Sequence, residues 1–198
     1  MEDQDKVDNN KTTGKESDTK GKAIARELRD WIIYLMIVIG ICYVITHFIG
    51  QRTEVFGSSM EPTLHNGDNL ITDKISYRLR DPKRYDIIVF PFDKEKDVNY
   101  IKRVIGLPGE TIQVIEGHVY VDGKQLNEDY GNEIMDNSGI AAEPITLSDD
   151  EYFVLGDNRN NSADSRQENV GTITREEIIG RAWVRVYPFK QFGVIAHE

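Results

Sequence analysis

One uninterrupted apolar run constrains this chain more than any other feature. Residues 31–49 contain no Asp, Glu, Lys or Arg, and their length is close to the roughly 20 residues that cross a bilayer as a helix. A buried helix of a soluble protein would carry a polar face, which this run lacks. The run is also longer than the apolar part of a cleaved signal peptide, and no small-x-small cleavage motif follows it. We therefore predict an uncleaved transmembrane anchor over residues 31–49.

The flanks of this run predict its orientation. Residues 1–30 alternate charged and polar side chains without apolar periodicity, so we expect a disordered tail. Only Arg52 follows the run closely, whereas four basic residues lie just before it: Lys20, Lys22, Arg26 and Arg29. The positive-inside rule then places the N-terminus in the cytoplasm and residues 50–198 outside the cell membrane.

Composition narrows the function classes. The formal net charge of −10 argues against a nucleic-acid partner, because neutralising phosphates requires a basic face. The single cysteine, Cys42, lies in the apolar run, which excludes an internal disulfide and a cysteine nucleophile in the exterior domain. The four histidines are scattered and no metal-ligand pattern is seen, so no cofactor or metal is expected.

Residues 50–198 have the pattern of an antiparallel, mostly β domain. Short runs rich in Val, Ile, Tyr and Phe predict strands at Asn69–Ile75, Tyr85–Phe90, Tyr100–Ile105, Thr111–Ile115, His118–Val121, Tyr152–Leu155 and Ala182–Tyr187. Glu116-Gly117 and Asp122-Gly123 are two-residue hairpin signals, and Arg175–Ile179 is a candidate helical turn. Residues 124–150 are polar and are expected to form an excursion outside the core.

Four polar segments carry the residues that could perform chemistry. They are residues 57–64 (GSSMEPTL), 67–74 (GDNLITDK), 100–109 (YIKRVIGLPG) and 156–166 (GDNRNNSADSR). The first presents two hydroxyls on an irregular turn before a proline, where a nucleophile could be exposed. Taken alone, the segment is more typical of an ordinary serine-rich turn, because short motifs are weak evidence.

Lys102 is the most informative single residue. Strand alternation places it between Tyr100 and Val104 on one largely apolar face. Burial there disfavours the ammonium and lowers the lysine pKa, and a neutral amine can activate a serine hydroxyl. The alternative is that Lys102 extends from an edge strand to reach water. A further alternative for catalysis is a Ser59–His65–acid triad, although the sequence around His65 is typical of an exposed turn.

The ordered set of segments resembles the type I signal peptidases, and more closely their shorter, Gram-positive-like members. The features that carry the resemblance are a Ser-Met-x-Pro-Thr-Leu box soon after one membrane span, the three later boxes, and the closing strand at residues 180–189. Only the tail and residues 124–150 lie outside it. The resemblance implies a β-rich fold shared with self-cleaving, LexA-like repressor proteases.

The resemblance also implies roles for particular residues. Ser59 matches the nucleophile, Lys102 the general base, and Ser162 a hydroxyl that orients the lysine. Three residues match a supporting shell: Asp157, Asp164 and Arg166. Five match positions that line the small substrate pockets: Val55, Met60, Leu64, Tyr100 and Ile101. Some relatives have an oxyanion-binding serine where this chain has Gly57, so the oxyanion is expected to depend on backbone N–H groups, above all that of Ser59.

The implied activity is that of a serine endopeptidase that removes signal peptides from exported preproteins, cutting after small residues at Ala-x-Ala-like sites. The expected partners are these preproteins with their signal peptides, the lipid bilayer and the protein-export machinery. Two other functions stay open at this point. One is a self-processing Ser-Lys protease, against which the membrane span argues; the other is a non-enzymatic anchored binding domain.

Overall fold

The computed structural model describes residues 5–44, 50–92, 99–131 and 133–197. Contacts divide the chain into an N-terminal unit, Met1–His47, and a second unit, Phe48–Glu198.

The N-terminal unit contains helix α1, Asp5–Val44. The sequence predicts a disordered tail over residues 1–30, and helix α1 begins within it, at Asp5. Disorder of the tail stays a prediction. The predicted anchor runs to Ile49, and its residues 45–49 lie outside the described ones. Within the described residues, no helix combines the length and the apolarity that a membrane crossing requires.

The second unit is built from short strands and one short helix. The strands are β1 (Gly50–Glu54), β2 (Asn69–Asp73), β3 (Ile87–Pro91), β4 (Asn99–Gly106), β5 (Thr111–Ile115), β6 (His118–Val121), β7 (Lys124–Gln125), β8 (Ile145–Thr146), β9 (Glu151–Leu155), β10 (Ile173–Thr174), β11 (Gly180–Tyr187) and β12 (Gly193–Val194). Helix α2 spans Ser76–Leu79, and single 3-10 turns lie at Gly139–Ala142 and Phe189–Gln191.

The described strands form two antiparallel sheets. The larger has the order β1-β2-β11-β3-β4-β9-β10, with β12 paired to β11, and the smaller has the order β7-β6-β5-β8. This confirms the prediction of a mostly β, antiparallel domain. All seven predicted strands are present, and the two hairpin signals form turns in which Glu116, Gly117, Asp122 and Gly123 have positive φ angles.

Residues 124–150 differ from the expected polar excursion. They contribute β7 and β8 to the smaller sheet. Met135, Ala141 and Leu147 from this stretch are buried in the same cluster as Ile112 and Phe153. Isolated apolar residues in a polar segment show no periodicity, yet each can fill one site in a core.

The candidate turn at Arg175–Ile179 forms no helix. There Thr174 donates to the Glu177 carboxylate at 2.7 Å.

Three segments of the second unit meet where chemistry was predicted. Strand β4 lies inside the larger sheet between β3 and β9. Lys102 pairs with Ile88 of β3, and the pairing with β9 begins at the next residue, Arg103. Ser59 lies on the connection between β1 and β2. The polar loop 156–166 begins where β9 ends, next to Arg103 in the middle of β4.

Candidate active site

Ser59 and Lys102 lie in direct contact although 43 residues separate them. Lys102 Nζ is 2.8 Å from Ser59 Oγ and 3.1 Å from the Ile101 carbonyl oxygen. The first distance is that of a hydrogen bond between an amine and a hydroxyl. An amine in this position can accept the serine proton once it is neutral.

Burial prepares Lys102 for that role. Its side chain is only 4% exposed, and loss of water lowers the Lys102 pKa from 10.5 to about 8, with the Asp164 and Asp157 carboxylates opposing the shift. Lys102 Nζ also lies 4.9 Å from the centre of the Tyr100 ring. The strand therefore supplies both the position and the low-dielectric setting of a base.

The turn that carries Ser59 is held by the loop after β9. The Asn158 side chain donates to the Ser58 carbonyl oxygen at 3.1 Å, and the Asn158 backbone N–H donates to the Ser59 carbonyl oxygen at 3.0 Å. Because a trans peptide directs its C=O and N–H in opposite directions, fixing the Ser58 carbonyl also fixes the Ser59 N–H. The described structure gives this N–H no backbone acceptor, so it is free to bind a substrate oxygen.

Gly156 permits the close approach of this loop. A Cβ at residue 156 would lie 2.5 Å from the Ser59 carbonyl oxygen and 2.2 Å from Ser162 Oγ. Backbone and a neighbouring side chain therefore occupy the space that any other residue would need. Glycine at residue 156 is thus a packing requirement of the site.

Asp157 connects strand β4, which carries Lys102, to the turn that carries Ser59. Its carboxylate accepts two hydrogen bonds from Arg103, at 2.8 Å and 2.7 Å, and one from Thr63 Oγ1 at 2.6 Å. The Arg103 guanidinium also lies 3.8 Å from the centre of the Tyr130 ring. Since Arg103 follows Lys102 and Thr63 lies four residues after Ser59, this group of side chains connects the backbone segments that carry Lys102 and Ser59.

Asp164 and Arg166 form a second buried pair in the same loop. Arg166 Nε and one terminal nitrogen donate to the Asp164 carboxylate at 2.8 Å and 2.9 Å. The Gly156 N–H donates to the same carboxylate at 3.1 Å. The pair therefore holds both ends of the loop that supports the Ser59 turn.

Ser162 does not make the contact with Lys102 that the resemblance implies. Among the described residues its Oγ is buried without a hydrogen-bond partner, so the Ser162–Lys102 hydrogen bond implied by the resemblance is not formed in this structure. Ser162 Oγ instead lies close to Gly156. Its role in orienting the lysine remains a prediction.

A cleft of about 280 Å³ opens beside Ser59 and Lys102. Ser59 and Lys102 line it, together with four of the five predicted pocket residues: Val55, Met60, Tyr100 and Ile101. The fifth, Leu64, is fully buried in the hydrophobic core instead. Phe56, Gly57, Ser58, Asn99, Asn161 and Ala163 complete the lining.

Comparison with known proteins identifies the family of this site. The family model described as signal peptidase, peptidase S26, matches residues 28–187, which include every residue of the cleft and its supporting pairs. The chain belongs to this signal peptidase family. It is therefore a hydrolase of the serine peptidase class.

Individual relatives agree with the family match. The chain is 46% identical over 156 residues to a probable signal peptidase I-2 of Synechocystis, covering 76% of this chain and 69% of the relative. It is 34% identical over 188 residues to signal peptidase I of Bacillus amyloliquefaciens, covering 89% and 95%. A crystal structure of a signal peptidase I from Enterococcus faecalis is similar with a TM-score of 0.41 and 32% identity, covering 52% of this chain and 97% of that one.

In this member of the signal peptidase family, His65 is not among the residues that line the cleft with Ser59 and Lys102. His65 is exposed, and its backbone N–H donates to the Asp68 carboxylate at 3.0 Å. In the described part of the chain, no group of three or more His, Cys, Asp and Glu side chains could hold a metal ion.

Sequence reasoning missed Arg103, Thr63 and Asn158 as site residues. All three lie inside the boxes that carried the resemblance. Arg103 offered a signal, since it is a second cation in a largely apolar strand and a buried cation requires a partner. No local pattern pointed to Thr63 or Asn158, whose partners are 94 and 100 residues away.

Proposed function

We propose that this protein is a type I signal peptidase that cleaves exported preproteins with a Ser59–Lys102 dyad. The observation that carries the proposal is the 2.8 Å contact between Ser59 Oγ and the buried Lys102 amine. Neutral Lys102 takes the serine proton while Ser59 Oγ attacks the carbonyl carbon of the scissile peptide. The resulting ammonium then protonates the leaving amine, and water hydrolyses the acyl-enzyme. The reaction needs no cofactor.

The cleft supports cleavage after small residues. In an extended substrate, every second side chain lies on the same face. The side chains one and three residues before the scissile bond would therefore enter the cleft together. Val55, Tyr100 and Ile101 line a volume of about 280 Å³, which suits two small side chains better than large ones. This is the Ala-x-Ala pattern that the resemblance implies.

We expect the detergent-solubilised protein to cut an exported preprotein once, directly after an Ala-x-Ala sequence. N-terminal sequencing of the product identifies the bond. A matched preprotein with Leu in place of the last Ala should resist cleavage, because the larger side chain exceeds the space beside Ser59. Cleavage of both preproteins at equal rates would contradict the proposed specificity.

The rate of cleavage should depend on the ionisation of Lys102. Below a pKa of about 8, the neutral fraction, and with it kcat/KM, should rise about tenfold per pH unit. Above this pKa the rate should reach a plateau. Lys102→Arg should be inactive at every pH, since the guanidinium stays protonated. A rise in the pH–rate profile centred near the ordinary lysine pKa of 10.5 would exclude a desolvated lysine base. An active arginine variant would exclude it as well.

The same shift has a consequence for folding. The folded protein holds the Lys102 proton less tightly than the unfolded chain, because burial depresses its pKa. Protonation of Lys102 therefore opposes folding at low pH. This contribution to the free energy of unfolding becomes more favourable as pH rises from about 8 towards 10.5.

We further propose that residues 31–49 anchor the protein in the cell membrane with residues 50–198 outside. The described apolar side chains from Trp31 to Val44 are exposed, as lipid-facing side chains would be. A signal peptide also lies in the bilayer, so an anchored enzyme meets its preprotein substrates in two dimensions. The lipid bilayer is therefore a partner, and the protein-export machinery that delivers preproteins is a further one.

We expect protease added outside intact cells to digest residues 50–198 and to leave the N-terminal tail protected. The physical reason is the cluster of positive charges before residue 31, which retains the tail in the cytoplasm. Immunoblotting for tags at each terminus shows which end of the protein the protease has digested. Digestion of both ends after permeabilisation is the control. Protection of the C-terminal tag in intact cells would reverse the proposed orientation.

A further inference from the structure

Ser58 is a second hydroxyl beside the nucleophile. It is half-buried and lines the same cleft as Ser59, Lys102 and Asn161. Nothing in the mechanism above uses its side chain, although a hydroxyl can both donate and accept.

Asn161 determines how this hydroxyl can act. Asn161 Nδ2 donates to Ser58 Oγ at 2.8 Å. Since Oγ is the acceptor in that hydrogen bond, its own O–H must be directed elsewhere. The described structure contains no acceptor for it, and the cleft is the open space that both residues line. Asn161 therefore leaves Ser58 as a donor available to a ligand in the cleft.

The neighbouring position cannot supply such a donor. Gly57 has a φ angle of +82°, although no atom lies within 4 Å of a Cβ placed there. The backbone conformation, not the available space, therefore favours glycine at residue 57. The Ser59 N–H is consequently the one oxyanion donor so far identified in the described turn, whereas acyl-transfer sites commonly provide a pair of donors.

We propose that the Ser58 hydroxyl is this second donor and that Asn161 positions it. As the bond between Ser59 Oγ and the substrate carbonyl carbon forms, the serine proton moves to Lys102 and the carbonyl π electrons move to oxygen. The oxygen then accepts hydrogen bonds from the Ser59 N–H and the Ser58 O–H. Ser58 gains and loses no covalent bond. This inference rests on the proposed peptidase function.

The test separates kcat from KM in preprotein cleavage by the detergent-solubilised full chain. Ser58→Ala should lower kcat on the order of 10²-fold and leave KM unchanged, because the lost hydrogen bond strengthens as charge develops. Ser58→Thr should restore most of kcat, because it keeps a hydroxyl. Ser138→Ala, which removes a half-buried hydroxyl outside the cleft, is the matched control and should match the wild type.

Asn161→Asp tests the direction of the hydrogen bond. A carboxylate only accepts, so the Ser58 O–H should turn towards it and leave the cleft. This variant should lose kcat as Ser58→Ala does, and combining the two should add little further loss. Because Asn161→Asp leaves Ser58 in place, it still tests the inference if Ser58→Ala fails to fold.

Two results would overturn the inference: an unchanged kcat in Ser58→Ala, or a rise in KM without a fall in kcat. Both are distinguishable from failure of the peptidase proposal. If Ser58→Ala is fully active while Ser59→Ala is inactive, only the role of Ser58 is wrong. If Ser59→Ala itself cleaves the preprotein, the proposed function fails first.

Discussion

Replacing Ser59 or Lys102 with alanine should each lower preprotein cleavage by about 10³-fold or more, and the double variant should lose no more than either single one. The two groups act in the same proton transfer, so removing one leaves the other without a function. Rates of cleavage by the three detergent-solubilised variants measure this directly. Substantial activity in either single variant would falsify the dyad.

His65→Ala is the control for this experiment. His65 is exposed and bound through its backbone, so its variant should keep most of the wild-type activity. Loss of cleavage in a folded His65→Ala protein would instead support the alternative Ser-His triad. Near-ultraviolet circular dichroism shows whether each variant retains its tertiary structure.

Asp157→Ala should lower the free energy of unfolding by about 3–5 kcal/mol, because it leaves a buried guanidinium without its carboxylate. Both partners are almost fully buried, with Arg103 1% and Asp157 0% exposed. The same change frees Thr63 and the backbone next to Ser59, so cleavage should also fall. Denaturant unfolding of the solubilised full chain, followed by circular dichroism, measures the loss of stability.

Asp81→Ala is the matched control for the buried pair. Asp81 also pairs with an arginine, Arg175, but its side chain is 84% exposed. Water screens such a pair, so its removal should leave the free energy of unfolding nearly unchanged. The double variant Arg103→Met, Asp157→Leu should be less destabilised than Asp157→Ala, because it leaves no unpaired buried charge. Equal losses of the free energy of unfolding in all three variants would contradict a stabilising role for the buried Arg103–Asp157 pair.

Local sequence patterns predicted the strands because their signals are local. Alternating β-branched and aromatic residues identified β5 and β6 with the bounds observed, and Asp122-Gly123 identified the turn that follows them. Strand β1 was missed, and so were the two-residue strands β7, β8, β10 and β12. The two-residue strands are too short to show alternation, and pairing with a neighbouring strand defines them.

The candidate site was likewise predicted in part from local sequence, whereas tertiary packing decided the rest. An ordered set of boxes was sufficient to name Ser59 and Lys102, and a lysine within an apolar strand predicted the direction of its pKa shift. The packing of Ser162 against Gly156 could not be anticipated, since it depends on how closely the loop after β9 approaches the Ser59 turn. Leu64 was assigned to the substrate pocket by its place in the first box, yet its side chain packs in the core.

The sequence by itself determined the family, the β-rich class, the apolar run with its flanking charges, and the two residues proposed for the chemistry. These follow from composition, periodicity and motif order, which are properties of neighbouring residues. Only the tertiary structure decided that Lys102 and Ser59 lie 2.8 Å apart and that Arg103, Asp157 and Thr63 tie their backbones together. It also decided that Asn161 leaves the Ser58 hydroxyl free to donate. Each of these contacts joins residues between 40 and 103 positions apart, and no local pattern encodes a distance across a folded chain.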